Sequence, residues 1–244
     1  MAFLNTIEHP ILREQVRDYF VNQQFRKDLY VRGSRRITGI EQQQRLLDMR
    51  FALVKPVDEV PMKVNAAAGE ATLQEALYRP LLDQLAERSF APKSLRELMA
   101  ALPNQPYLQL LQELTVLIGM AVVAPCQSEG AAKQAHKRCA ALNAYLMERA
   151  VSSADIDTLA SPVLGGGFPM GRVNQLFARA RLQGRKTPQD WAHQTWQILE
   201  SQGQRLLKDG KAVESAEANL AELNRQAVEF AEKRLPLLKA LQVV

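Results

Sequence analysis

Apolar residues recur every three to four positions over most of the chain, the spacing that gathers them on one face of a helix. In Pro10–Tyr30, Val16, Tyr19/Phe20 and Gln23 keep that step, followed by Leu29/Tyr30, and the pattern predicts a helix. A second, Glu75–Glu87, carries Leu77, Leu81/Leu82 and Leu85 on one face, with Pro80 weakening its first turn. Lys93–Leu102 follows Pro92, and Pro106–Met120 shows Leu110/Leu111, Leu114 and Leu117/Ile118 in register. Further on, Ala131–Ala150 places Leu142 and Leu146 inward. Arg172–Gln183 presents Val173, Leu176/Phe177 and Ala180 and ends at Gly184. Thr187-Pro188-Gln189-Asp190 is a helix start, with Thr at the cap, Pro first and Asp third. The helix it opens points Trp191, Thr195, Ile198/Leu199 and Leu206 inward and breaks at Asp209–Gly210. Trp191 and Trp196 are five apart and so do not share one face, which leaves at least one of them partly exposed. Ser215 caps a last helix through Leu220, Leu223, Ala227 and Phe230, which bends or stops near Pro236.

Short apolar runs interrupt the helical period in the first half. Met49–Lys55, Met62–Asn65, Glu70–Leu73 and Ala121–Cys126 read as strands, with a turn at Ala66–Gly69 and Glu41–Leu47 as a further short helix or an extended arm. From Ala131 onward the pattern predicts no strand, and Ala154–Leu159 reads as a helical turn. The fold class is therefore mainly α with minor β: a winged-helix-like unit with a few short strands, plus a helical C-terminal domain. Pro56 and Pro61 bracket a linker. The expected division is an N-terminal helical arm over 1–56, a winged-helix-like domain over 57–128 and a helical domain over 129–244.

Composition narrows this. The chain has 244 residues, 47% apolar and 23% charged, which fits a folded protein rather than a disordered one. The net charge of +5 permits an acidic partner without requiring one. Two cysteines, Cys126 and Cys139, make no disulfide framework. The longest mostly apolar stretch, Leu114–Pro125, is too short for a membrane span. A cytoplasmic protein without membrane contact is expected.

Candidate chemistry is sparse. Gly165-Gly166-Gly167 invites a phosphate-loop reading, but Phe168-Pro169-Met170 follows where such a loop needs Gly-Lys-Ser/Thr. The glycines are expected instead to form a sharp corner between two helices, with Phe168 beside them, and a partner or ligand at their bare amides remains the alternative. His136 and Cys139 lie three apart on one helix, but a zinc site needs three or four ligands, and none is nearby. No nucleophile elbow or catalytic Ser/His/Asp arrangement is present. Arg26, Lys27, Arg32, Arg35 and Arg36 form the densest positive patch, suited to a solvated helix end or to an acidic partner surface. The candidate recognition helix, Pro106–Met120, has Glu113 as its one charge and no Lys or Arg, which argues against nucleic acid.

Three stretches carry a resemblance: VRDYFVNQQFRKDLYVRG near the N-terminus, ASPVLGGGFP followed by RVNQLFARARLQGR, and ILESQGQRLLKDGKAVESAEANLAELNRQAVEFAEKRLPLLKAL near the end. Together they resemble the C-terminal half of bacterial S-adenosylmethionine-dependent methyltransferases that carry a methyltransferase regulatory domain, similar in layout to lysine methyltransferases of outer-membrane proteins. The resemblance is strongest over Ala160–Leu241 and looser over the middle. It implies that the methyl donor binds in a separate Rossmann-like domain, for which this chain has no counterpart motif. No catalytic, metal or cofactor-binding residue is carried over, and S-adenosylmethionine is implied only for that other domain. The resemblance thus implies a module that is non-catalytic on its own, with a methyltransferase domain in cis or in trans as partner. It would regulate that domain, help recognise a protein substrate or supply a homodimer interface. The alternatives are a winged-helix DNA-binding transcriptional regulator and a small-molecule module at the glycine corner.

Overall fold

The computed structural model describes every residue except Met1, Lys27, Leu29, Ala67, Ala68, Asp209 and Gly210. The expected turn at Ala66–Gly69 and the expected helical position Leu29 fall wholly or partly outside the described residues, as does Asp209–Gly210; the helix expected to reach that point through Leu206 ends earlier, at Ser201, where Gly203 turns left-handed, φ 65°. The chain is mainly helical with a few short antiparallel strands.

Helix α1 (Pro10–Phe20) starts where His9 Nδ1 accepts from the Leu12 amide, with Pro10 at the first position. It stops well short of Tyr30. Asn22 adopts a left-handed backbone, φ 51°, and such a residue ends a helix. Helix α1 buries no residue, and its main packing is against a 3-10 turn at Ala2–Thr6, where Phe3 meets Phe20 edge to face. Helix α2 (Gly39–Asp48) is capped by Thr38, which accepts from the Glu41 amide.

Strand β1 (Arg50–Leu53) buries Phe51, Ala52 and Leu53 and lies in the middle of a three-stranded sheet. Strand β2 (Lys63–Ala66) pairs with β3 (Gly69–Thr72) in a separate antiparallel hairpin. Then come α3 (Glu75–Phe90), β4 (Lys93–Ser94), α4 (Leu95–Ala101), α5 (Tyr107–Gly119) and β5 (Val123–Pro125). β4 and β5 flank β1, both antiparallel, with Phe51 opposite Lys93 on one side and Pro125 on the other. A strand ahead of the Pro56–Pro61 linker therefore completes a sheet formed with residues after it.

The helix expected from Lys93 begins two residues later. Lys93 and Ser94 pair with β1, and Ser94 forms a reciprocal capping box with Glu97. Ahead of it, Arg88, Ser89 and Phe90 hold φ values of 54°, 54° and 65° in succession. Three consecutive left-handed non-glycine residues persist only when their surroundings impose them. Lys93 is buried beside them and its Nζ donates to the Glu87 carbonyl at 2.9 Å, while burial lowers its pKa.

The second half contains strands that its apolar pattern does not predict. After α6 (Glu129–Arg149), β6 (Thr158–Ser161) pairs with β7 (Gly166–Pro169) in a hairpin, and β8 (Leu207–Lys208) pairs with β9 (Lys211–Ala212) in a shorter one. The expected helical turn at Ala154–Leu159 is instead a loop running into β6. The interior face of α6 is also rotated from expectation. Asn143 and Met147 are buried, whereas Leu142 is 48% exposed. A polar residue faces inward because the edge of β6 needs hydrogen-bond partners there.

Helices α7 (Arg172–Leu182), α8 (Pro188–Ser201) and α9 (Ala216–Glu229) pack in sequence order, followed by a π-turn (Phe230–Arg234) and α10 (Leu235–Ala240). The Thr187–Asp190 capping box forms as expected. Trp191 and Trp196 are both buried, contrary to expectation, because α8 is covered by α7 on one side and α9 on the other. One buried cluster extends from Phe51 in the sheet through Phe168 to Val243 at the C-terminus. Lys233–Asp58 and Arg234–Glu59 ion pairs tie the π-turn to the Pro56–Pro61 segment.

Candidate functional site

The glycine stretch is a hairpin, not a corner between helices. Ser161 stands opposite Gly166, and Ala160 opposite Gly167. Gly165 carries the left-handed angle the turn requires, φ +67°, and a Cβ there would lie 2.4 Å from the Gln127 side chain. Gly166 has open space around it. A Cβ on Gly167 would meet the Thr158 methyl at 2.5 Å. Phe168 is buried in the common core. Apolar periodicity misses this hairpin because three of its eight strand positions are Gly, Gly and Pro.

Hydrogen bonds to distant segments fix the hairpin. Asn143 reaches Ala160, Ser161 Oγ donates to the Leu241 carbonyl at 2.7 Å, and the Gln127 amide donates to the Val163 carbonyl at 2.7 Å. Gln175 Nε2 donates to the Ile156 and Met170 carbonyls at 2.7 and 2.6 Å. The hairpin is thereby held against β5, α6, α7 and the C-terminal end together.

Beside it lies a cleft of about 530 Å³, bounded by β1, the first turns of α6, the hairpin loop and the C-terminal end. Its charged groups are Arg50, Glu129 and Lys133, with the His136 imidazole farther along α6. Arg50 donates through Nη1 to Glu129 and through Nη2 to the Pro92 carbonyl at 2.6 Å; its Nε is buried with no partner. His136 Nδ1 lies 2.9 Å from Gln242 Oε1. Cys126 lines the same cleft, and burial pushes its thiol up to about 12. Such a thiol stays protonated at neutral pH and is no nucleophile there. No group of three or more metal-ligating side chains occurs among the described residues, and His136 and Cys139 form no such group. Sequence reasoning did not assemble this cleft. Arg50 and Glu129 are 79 positions apart, and His136 and Gln242 are 106 apart.

The basic cluster is only partly available to a partner. Arg26 is engaged by Asp28 at 2.7 Å and Asp18 at 3.0 Å, with Glu14 at 3.7 Å, which folds its loop back on α1. Arg32, Arg35 and Arg36 are exposed and have no ion-pair partner among the described residues, and Lys27 lies outside them. The same segment exposes Ile11, Tyr19, Phe20, Phe25, Tyr30 and Val31; Phe25 is 84% and Tyr30 91% exposed. These apolar side chains form an exposed group on the arm. The arm and the glycine hairpin do not form one site.

The Gly165–Gly167 run turns a hairpin between antiparallel strands rather than leading from a strand into a helix N-terminus. The residues of this run do not fit the donor loop of S-adenosylmethionine or of a dinucleotide.

Residues 1–32 match the family described as the predicted methyltransferase regulatory domain. The chain is also similar to an uncharacterized protein of Synechocystis sp., 35% identical over 242 residues, covering 98% of this chain and 46% of the relative. The chain thus spans about half the length of that relative. No solved structure matches it significantly. No helix among the described residues is long and apolar enough to cross a membrane.

Proposed function

We propose that this chain is a non-catalytic regulatory module associated with a cytoplasmic S-adenosylmethionine-dependent methyltransferase. One observation carries the reading. The family match at residues 1–32 coincides with the segment whose helix buries nothing and whose aromatic residues face outward. Apolar side chains in a regulatory-domain segment need a cover, and the methyltransferase polypeptide, in cis or in trans, is the partner this reading assigns. Arg32, Arg35 and Arg36 would face an acidic rim on that partner, in the basic cluster that also contains Arg26 and Lys27. The 1–56 arm would then dock, and its last strand would complete the sheet of a winged-helix-like unit over 57–128. The helical unit over 129–244, with the Gly165, Gly166, Gly167 and Phe168 hairpin seated in it, would hold that unit in place. Recognition of a protein substrate, such as an outer-membrane-protein lysine, and pairing of two copies are further roles of the same surface.

DNA binding is the less favoured reading. The outward positions of α5 include Leu108, Gln112, Thr115 and Ile118, none of them able to engage a phosphate ionically.

Two titrations test the proposal. The segment of the longer relative that this chain does not cover, expressed separately, should bind the chain. The triple variant Tyr19→Ser/Phe25→Ser/Tyr30→Ser should lose that complex while keeping its melting temperature. S-adenosylmethionine titrated into the chain alone should give no heat. Micromolar binding would overturn the non-catalytic assignment.

A further inference from the structure

Arg50 stands at the start of the central strand, at the mouth of the cleft beside α6. Its guanidinium is a planar fork suited to a carboxylate, and it already holds one, from Glu129. That carboxylate belongs to the surface: the Glu129 side chain is 81% exposed, against 27% for Arg50. Glu129 sits on the first turn of α6, so it can swing to solvent without disturbing the core. Arg50 is fixed, because Phe51 beside it is buried and its Nη2 is anchored on Pro92. Its Nε is buried and still without a partner.

The rest of the cleft has the makeup of a small-molecule site, with an apolar wall and a few convergent polar groups. Pro92, Ala132, Val163 and Ala240 supply the wall. Lys133, one turn along α6 from Glu129, lines the cleft and has no ion-pair partner among the described residues. The α6 N-terminus adds its partial positive charge to these two cations.

We propose that this cleft binds a small organic carboxylate whose apolar body lies on the Val163–Ala240 wall. The ligand's carboxylate takes the Arg50 fork, Lys133 supplies a second cation, and Glu129 is a built-in occupant that yields its place. The same fork then serves both states, and Glu129 lowers the apparent affinity by the fraction of time it occupies Arg50. This site is independent of the docking arm, and neither assignment requires the other.

The test uses the full chain and three probes: hexanoate, hexanamide and inorganic phosphate. Amide chemical shifts report where binding occurs, and titration reports how tightly. Hexanoate should shift Ala132, Val163 and Gln242, and hexanamide should bind at least about tenfold more weakly. Glu129→Gln should strengthen hexanoate binding severalfold by removing the internal competitor, and Lys133→Gln should weaken it severalfold. Both substitutions are at exposed positions, so folding does not confound them. No hexanoate binding up to about 10 mM, equal binding of hexanamide, or an unchanged affinity in Glu129→Gln would each overturn the proposal. Phosphate binding in the same cleft more tightly than hexanoate would overturn the carboxylate assignment.

Discussion

Asn143 on α6 pairs with Ala160 on β6 as a neighbouring strand would. Its Oδ1 accepts from the Ala160 amide at 2.7 Å and its Nδ2 donates to the Ala160 carbonyl at 2.8 Å. The same Nδ2 donates to the Val243 carbonyl at 2.8 Å. A single buried side chain thus closes the edge of a two-stranded sheet and secures the C-terminal end to it. An open backbone edge in the core would otherwise leave a donor and acceptors unsatisfied.

Removing that amide should be among the costlier single changes in the chain. Asn143→Ala leaves one N–H and two carbonyls without a partner and is expected to cost about 2–4 kcal/mol. Urea unfolding of the variant beside the native chain measures it. A loss under about 0.5 kcal/mol would mean the edge finds another partner.

The three glycines should respond differently. Gly165 has a left-handed backbone and the Gln127 side chain against it, so Gly165→Ala is expected to cost about 1–2 kcal/mol. Gly166 sits in an ordinary strand conformation with open space around it, so Gly166→Val should be close to neutral. Melting temperatures of the two variants check this ordering; equal shifts would contradict it.

Arg179 on α7 donates through Nε and Nη2 to the two carboxylate oxygens of Glu148 on α6, at 2.7 and 2.8 Å. The hydrogen bonds and charge of Arg179 hold the Glu148 carboxyl below its ordinary 4.5. A carboxyl depressed by folding contributes stability that is fully present above its unfolded value and is lost as pH falls through its folded value. Glu148→Gln should therefore be less stable than the native chain near neutrality. The gap should stay under about 1 kcal/mol, because Glu148 is largely solvated. It should narrow as the buffer is taken into the acid range below 4.5. Denaturant titrations at several pH values follow the gap, and one that widens in acid would refute the assignment.

Cys126 should resist alkylation. Burial raises its thiol from the ordinary 9.0 to about 12. At pH 8 its thiolate fraction, and so its reaction with iodoacetamide, should be roughly a thousandfold lower than that of an unperturbed thiol. Mass spectrometry of labelled peptides, native against urea-unfolded, reads the difference.

Local rules in the sequence located most of the helices, though not the end of the first or the buried face of α6. The three-to-four spacing and the caps at Thr187 and Ser215 mark elements that the structure contains, because a cap and an apolar stripe are properties of ten or so consecutive residues. The strand at Arg50–Leu53 was legible for the same reason, since three of its four residues are apolar and all three are buried. Other features were decided only by tertiary contacts. The hairpin at Thr158–Pro169 has no apolar period, and it stands because Asn143 satisfies its edge from α6, its own Ser161 reaches out to the Leu241 carbonyl, and Gln175 ties down the flanking Ile156 and Met170 carbonyls. Trp196 is buried because two other helices cover α8, which its own spacing cannot reveal. Arg50, Glu129 and Lys133 share a cleft only because β1 enters a sheet formed with later residues, and a relation across 79 positions leaves no trace in a local pattern.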